Sequence, residues 1–174
     1  MNIQQIIIFL TYSLLLIIYT RFILFKIYTN YACLYYQCSP ITGSEPIYQP
    51  KKWNDDIYIK YSHNCYAYAL NDINLQLKHQ CQYKKCKYIN PQPGHFCKSK
   101  FKMNTCFQLN KKIQCDNPLI KIINFSEKCP SNYYKIGLAT NLNAGYHFYR
   151  QNTYGLWDHK DGGNKVNKYD ASHK

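Results

Sequence analysis

Acidic residues are scarce in this sequence, and the shortage sets its charge. Only 9 Asp and Glu accompany 22 Lys and Arg in 174 residues, which gives a formal net charge of +13. Such a chain suits an anionic partner, whether a nucleic acid, an anionic membrane or an anionic cell-wall polymer. The lysines are scattered, however, and the chain has no contiguous basic helical face and no nucleic-acid-binding motif. We therefore expect a membrane and a peptide or anionic cell-wall polymer substrate, and no nucleic acid, as partners.

The chain also lacks any Cys-x-x-Cys pair, although it contains nine cysteines. The gaps between them are long and irregular, which favours disulfides over the competing zinc site and is typical of an oxidising compartment. Apart from Cys65, two of them lie beside the hydrophobic N-terminus, Cys33 and Cys38. The other six crowd one segment, at Cys81, Cys86, Cys97, Cys106, Cys115 and Cys129. We predict that Cys65 is the unpaired cysteine, that the others form at least two disulfides, and that no metal or cofactor is bound.

No basic residue precedes the apolar run of residues 5–20, and no small-residue cleavage site follows it. An uncleaved single-pass membrane anchor therefore fits better than the alternative, a cleaved signal peptide. Topology is in conflict, because Arg21 and Lys26 follow the run and favour a cytoplasmic domain, whereas the cysteines favour an extracytoplasmic one. The sequon at Asn124-Phe-Ser126, a glycosylation acceptor, agrees with a secretory route. We predict a membrane protein with an extracytoplasmic domain.

Composition divides the chain into three parts. Residues 1–38 form the anchor, and residues 39–52 contain three prolines and are predicted to be a linker. Residues 53–174 are long enough for one domain. Within it, residues 55–61 alternate weakly and predict a first strand, whereas the polar, cysteine-rich insertion at about 72–131 is predicted to be irregular and held by disulfides.

The sequence around Cys65 predicts the beginning of a helix. Asn64 is a favourable N-cap, and Tyr66, Ala69 and Leu70 follow at helical spacing. A helix N-terminus carries partial positive charge and free N–H groups, so this position favours the thiolate over the thiol. The alternative is that Cys65 is a small buried hydrophobic residue.

Residues 146–163, YHFYRQNTYGLWDHKDGG, predict a β-hairpin with turn chemistry at residues 151–155. A turn with an odd number of residues centred on Thr153 places His147 directly opposite His159 and on the same face. A four-residue turn would place them on opposite faces. The favoured turn also assigns the neighbouring side chains. It places Tyr149 and Trp157 with the histidines, and Phe148, Arg150 and Asp158 on the other face.

The order of these features supplies the parts of a thiol hydrolase. Such an enzyme needs a nucleophile, an imidazole that activates it and a third polar group that orients the imidazole. Cys65 supplies the first, and His147 and His159, after a strand at residues 133–140, supply the other two. The alternative is that the two histidines are ordinary strand residues.

This combination resembles the papain-like thiol hydrolases of the NlpC kind, a superfamily of peptidases and amidases that cleave bacterial cell-wall peptides. In that family a cysteine begins a helix packed on a small antiparallel sheet, a histidine begins a later strand, and a third polar residue lies on the next strand. Cys65, His147 and His159 match that order. Pro93-Gly94 is similar to the family's Pro-Gly turn, although His95 stands where an acidic residue usually follows.

The strings NCYAYAL, PQPG, YHFYRQ and WDHKDGG leading to YDAS also resemble recurrent words of a poorly characterised bacterial and viral branch, and the likeness covers roughly residues 61–172. It implies an α+β, papain-like (NlpC-like) domain on one N-terminal transmembrane helix. It also implies a membrane-anchored cysteine peptidase or amidase with a Cys65, His147 and His159 site, in which His63 and Asn64 serve as oxyanion or orienting groups. Two alternatives stay open: a catalytically inactive, disulfide-rich binding protein on the same fold, and an acyltransferase or transpeptidase.

Overall fold

The computed structural model describes residues 2–36, 39–83, 86, 91–98, 105–141 and 145–169, without the side chains of residues 26 and 28–36. The chain divides into two compact units, Met1–Ser39 and Pro40–Lys174. The side chain of Cys33, the whole of Cys38, residues 142–144 and residue 170 onwards lie outside the described residues.

The first unit is the helix α1, Ile3–Tyr36. Its segment Ile3–Phe25 has 23 residues and a mean hydropathy of 2.1, so it is long and apolar enough to cross a membrane. The described Ile, Leu and Phe side chains of this segment are exposed around the whole helix, and a helix that is apolar on all sides requires apolar surroundings. The expected N-terminal apolar helix is therefore present, and its topology stays a prediction.

The segment predicted as a linker makes fixed contacts with the second unit from Pro40 onwards. The Thr42 hydroxyl donates to the carbonyl of Tyr133 at 2.8 Å, and the Thr153 N–H donates to the carbonyl of Pro46 at 3.3 Å. Helix α2, Pro50–Asn54, then buries Trp53 in the core. The prolines therefore fix the backbone of a packed segment and do not make a flexible tether.

Helix α3, Ile57–Ser62, occupies the region predicted to be a strand, so that prediction is wrong. The cause is local: the Asp56 carboxylate accepts hydrogen bonds from the N–H groups of Tyr58 and Ile59 at 2.9 and 3.2 Å. An N-cap of this kind satisfies two donors that a helix end leaves unpaired, and it outweighs a weak alternation. Helix α4, Cys65–Ala69, follows and begins at the predicted residue.

The cysteine-rich insertion contains two helices where irregular structure was predicted, α5 at Leu75–Tyr83 and α6 at Cys106–Asp116. Disulfides join Cys81 to Cys86 and Cys97 to Cys115, with Cα atoms 4.6 and 5.8 Å apart. The prediction of at least two disulfides is therefore confirmed.

The odd number of cysteines predicts Cys65 as the single unpaired one, and this prediction is wrong. Within the part of the chain that the structure describes, Cys106 and Cys129 are also free. The Cys106 sulfur contacts no second cysteine among the described residues and lies 2.7 Å from the Thr140 hydroxyl oxygen. Cys129 is buried.

Four antiparallel strands form one sheet in the order β1-β2-β3-β4, with β1 at Ile136–Asn141, β2 at Gly145–Gln151, β3 at Trp157–Lys160 and β4 at Val166–Asn167. Tyr149, and not His147, is directly opposite His159. The turn is centred one residue later than predicted, because the Asn152 carboxamide oxygen accepts from the N–H groups of Tyr154 and Leu156. The two histidines nevertheless share a face, as predicted, and their rings are 4.8 Å apart.

Helix α4 packs on the opposite face of the hairpin, where Phe148, Arg150 and Asp158 are fully buried. Arg150 Nε lies 3.3 Å from Asp158 Oδ1, and the Tyr68 hydroxyl donates to the same oxygen at 2.7 Å. A second core cluster joins Tyr68 to Trp53 and Val166. The result is a mixed α/β unit in which α4 and the small antiparallel sheet share one core.

Candidate functional site

The first element of the candidate site is the N-terminus of α4. The Asn64 side-chain oxygen accepts hydrogen bonds from the N–H groups of Tyr66 and Ala67, at 3.1 and 3.2 Å. The Asn64 amide nitrogen donates to the carbonyl of Pro91 at 2.7 Å. Asn64 therefore fixes Cys65 as the first residue of the helix and also holds the PQPG turn beside it.

Cys65 is buried in a core cluster with Tyr66, Ile113 and Phe148. The residue is only 6% exposed, and burial raises the pKa of its thiol although the backbone N–H groups of Phe148, Tyr66 and Cys65 itself act to lower it. The expectation that the helix end favours the thiolate is not met. Helix α4 has only five residues, and the cost of desolvating a thiolate outweighs the stabilisation that the backbone N–H groups would give it. Cys65 is therefore a thiol at neutral pH.

A chain of hydrogen bonds fixes the two histidine rings. His159 Nε2 lies 2.7 Å from the carbonyl oxygen of Tyr169, and His159 Nδ1 lies 2.9 Å from His147 Nε2. A carbonyl oxygen can only accept, so in neutral His159 the proton is on Nε2, and Nδ1 must accept from His147 Nε2. Neutral His147 is thereby left with an unprotonated Nδ1, which can take a proton from another group.

The charge state of His147 agrees with this assignment. Burial lowers the pKa of His147, and positive charge on His159 lowers it further, whereas the Asp161 carboxylate acts in the opposite direction. His147 is consequently neutral at pH 7. Cys65 and His147 are therefore both neutral at pH 7.

The sheet links the histidine strand to Cys65 through a backbone group, and within the described residues no hydrogen bond joins the Cys65 side chain to His147 or His159. The backbone N–H that faces the Cys65 sulfur belongs to Phe148, the residue directly after His147. The β2–β3 ladder ends at Tyr149, so β3 does not pair with His147 and Phe148. Cys65 thus lies against the stretch of β2 that carries His147, close to where β3 leaves the ladder.

His63, predicted as an oxyanion or orienting group, has a different position. Its ring is fully buried, its Nε2 accepts from the Asn74 N–H at 2.9 Å, and its Nδ1 therefore carries the proton and lies 3.1 Å from the carbonyl of Ile59. Both ring nitrogens are bonded to the backbone of the fold. His63 consequently stabilises the segment that leads to Cys65, and Asn64 is the residue that orients the cysteine.

Sequence reasoning missed the side chains that hold the PQPG turn against the site. Asp116 accepts from the Tyr66 hydroxyl at 2.9 Å and from the Gly94 N–H at 2.6 Å. The Tyr146 hydroxyl in turn donates to the side-chain oxygen of Gln92. Burial raises the pKa of Tyr146, and the nearby Cys65 raises it further. In the sequence, only the PQPG string indicated that a turn lies beside the candidate site.

Lys160 was also missed, although it lies in the WDHKDGG string. Its fully buried ammonium donates to the carbonyl of Lys60 at 2.6 Å and to that of Gly162 at 2.5 Å. Burial lowers the pKa of Lys160 to about 8, while Cys65 and Asp161 act to raise it. Lys160 therefore ties the end of α3 to the segment that follows β3.

Within the described ranges no group of three or more His, Cys, Asp and Glu side chains is placed to hold a metal ion. The sequon residue Asn124 is exposed, and its glycosylation stays a prediction. No protein-family model matches the chain, and neither a curated protein nor a solved structure matches it.

Proposed function

We propose that this chain is a membrane-anchored cysteine hydrolase, a peptidase or amidase with a papain-like domain of the NlpC kind. Cys65 is the nucleophile, His147 the general base and His159 the residue that orients it. The observation that carries the proposal is the hydrogen-bonded series from the Tyr169 carbonyl through His159 to His147. It leaves one basic nitrogen on His147, on the strand whose next N–H faces the Cys65 sulfur.

The first half of the reaction makes a thioester. As the Cys65 sulfur attacks the substrate carbonyl carbon, its proton moves to His147 Nδ1, and the carbonyl π electrons move to oxygen. The imidazolium then gives that proton to the leaving amine, the C–N bond breaks, and the acyl group remains on sulfur. His159 stabilises the imidazolium by accepting the hydrogen bond from His147 Nε2 throughout.

The second half returns the enzyme to its starting state. Water gives a proton to His147 and attacks the thioester carbonyl, and the collapsing intermediate releases the carboxylic acid as the Cys65 sulfur recovers its proton. Both tetrahedral intermediates carry an oxyanion. The backbone N–H of Cys65 at the start of α4 is the donor we assign to it, and such a donor typically contributes about 3 kcal/mol.

The chain's charge sets the expected substrate class. A net charge of +13 favours anionic polymers, so we place peptides of an anionic cell-wall polymer ahead of neutral peptides. The disulfides favour an extracytoplasmic position for the domain. The apolar helix α1 holds it at the membrane.

Matched variants test the assignment in the full-length protein, with purified cell-wall fragments and an amide-releasing assay. Cys106 is the control for Cys65, because it is also a free cysteine that begins a helix behind a side-chain N-cap, in this case Thr105. Cys65→Ala should abolish turnover, and Cys106→Ala should leave it unchanged. His147→Ala should be almost as damaging, whereas the exposed His95 provides a neutral His95→Ala control. Equal activity of the two cysteine variants would refute the proposal.

One observation favours a second candidate, a disulfide-rich binding protein that performs no chemistry. The Cys65 thiol is buried and its pKa is raised, as in an inert core cysteine. Iodoacetamide labelling at pH 7 in the Cys106→Ala background separates the two. A hydrolase should be alkylated at Cys65, and more slowly once His147 is replaced by Ala. If Cys65 stays unlabelled and Cys65→Ala lowers the melting temperature strongly, the binding protein is the better account.

A further inference from the structure

The globular unit contains a cavity that the proposed reaction does not use. It has a volume of about 510 Å³, which lies within the range of small-molecule sites. It lies among α6, β1, β2 and the irregular segment 119–135. Its wall is mainly aliphatic and aromatic, and includes Leu70, Ile113, Ile120, Ile136, Leu138 and Phe148.

The rim of this cavity is apolar and exposed. Leu119 and Ile122 both line the cavity, and they are 70% and 68% exposed to solvent. Phe125, on the same segment, is 54% exposed. Exposed apolar side chains grouped beside an apolar cavity are unfavourable in water and mark a surface that contacts something apolar.

The rim also carries positive charge. Lys121 lines the cavity between Leu119 and Ile122, and its ammonium lies 5.4 Å from the centre of the Tyr133 ring. A cation flanked by exposed apolar side chains is the arrangement that binds the boundary between anionic headgroups and acyl chains.

The chain enters the globular unit at this cavity. The Thr42 hydroxyl donates to the carbonyl of Tyr133, and the Asn132 N–H donates to the Ser44 hydroxyl oxygen at 3.1 Å. Tyr133 and Asn132 both line the cavity. The segment directly upstream of Thr42 leads from α1, whose apolar part is long enough to cross a bilayer. Because the chain carries a candidate membrane span, a bilayer lipid is the apolar ligand that we consider for this cavity.

We propose that the cavity binds one acyl chain of a membrane phospholipid, with Leu119 and Ile122 in contact with the bilayer surface. The proposal does not depend on the hydrolase chemistry, because no step of that chemistry involves the cavity. The two sites do share Phe148, whose ring belongs to the cavity wall and whose backbone N–H faces the Cys65 sulfur.

Photolabelling in a bilayer tests the proposal. The full-length protein is placed in nanodiscs of phosphatidylcholine and phosphatidylglycerol that contain a phosphatidylcholine with a diazirine at the end of one acyl chain. After irradiation, adducts are mapped by mass spectrometry. We expect them in residues 119–138 as well as in Ile3–Phe25, which serves as the internal reference. Adducts confined to Ile3–Phe25 would overturn the proposal.

Two variants locate the bound chain. Leu138→Trp fills the cavity and should lower the adduct yield at residues 119–138 by about tenfold relative to Ile3–Phe25, since the larger side chain occupies the volume. Leu119→Ser should lower it by about fivefold, because one apolar contact is lost. Leu75 on α5 is equally exposed, at 69%, and lies outside this cavity, so Leu75→Ser should change nothing.

If Leu138→Trp does not fold, the comparison of the two surface variants Leu119→Ser and Leu75→Ser still tests the proposal. Equal adduct yields at residues 119–138 for Leu119→Ser and Leu75→Ser would refute binding at the rim. The source of the acyl chain is tested by supplying a diazirine fatty acid in place of the labelled phospholipid. Labelling of residues 119–138 by the free acid alone would overturn the assignment to a phospholipid.

Discussion

Replacing His159 is the sharpest test of the hydrogen-bond series. In His159→Ala, His147 Nε2 loses the acceptor that lies 2.9 Å away. During attack this nitrogen belongs to an imidazolium, and a hydrogen bond to a charged group contributes roughly 1.5–3 kcal/mol. The expected loss in kcat/KM is therefore about 10- to 150-fold. That is smaller than the loss for Cys65→Ala, because an orienting residue makes no bond to the substrate.

The pH dependence of the same variants separates orientation from charge. Positive charge on His159 lowers the pKa of His147, so His159→Asn, which removes that charge but keeps an acceptor, should raise the pKa and move the acid limb of kcat/KM to higher pH. Only His159→Asn can supply an oxygen that accepts from His147 Nε2, and it should recover part of the lost rate. The assay is kcat/KM between pH 4 and pH 9, with melting temperature as the folding control. A rate for His159→Asn no better than for His159→Ala, with an unmoved acid limb in His159→Asn, would refute the orienting role.

Three further predictions concern pH and stability. Because burial lowers the pKa of His147 from 6.5, the midpoint of the acid limb of wild-type kcat/KM should lie below pH 6.5. Burial also lowers the pKa of His63, so as the pH falls the imidazole is protonated in the unfolded chain before it is protonated in the folded protein. The unfolding free energy that neutral His63 contributes should therefore be fully present above pH 6.5 and decline below it. This decline should be shallower in His63→Asn. Arg150→Met should lower the unfolding free energy by about 3–5 kcal/mol, because it leaves Asp158 as an unpaired buried charge; denaturant melts of the Arg150→Met/Asp158→Leu double variant should show a smaller loss, and an equal loss would contradict this account.

Local chemistry explains why some of these features could be predicted from the sequence. Cys65 begins a helix because Asn64 beside it is a cap, and the hairpin forms because its turn residues and its alternation agree. The predicted strand at residues 55–61 failed for a related reason. The carboxylate of Asp56 caps a helix by local hydrogen bonds, whereas the alternation at residues 55–61 needed a partner strand to stabilise it.

Other features depend on contacts that are remote in the sequence. The centre of the hairpin turn moved by one residue, and the partner of His159 thereby moved from His147 to Tyr149, because Asn152 makes hydrogen bonds within the turn. His63 has no free ring nitrogen because Asn74, eleven residues away, occupies one of them. The three hydrogen-bond partners of Asp116 were not predictable from spacing, because they come from α4 and from the turn that contains Gly94.

Asp116 also links the candidate site to the redox state of the chain. It follows Cys115, whose disulfide partner Cys97 donates its backbone N–H to the Asp116 carboxylate at 2.9 Å. The same carboxylate holds Gly94 and thereby the turn that places Gln92 beside Tyr146. Oxidation of one cysteine pair therefore helps to fix the turn that Asn64 holds beside the start of α4. Protein made in a reducing cytosol would lack this constraint on the turn, so recombinant production should use an oxidising compartment.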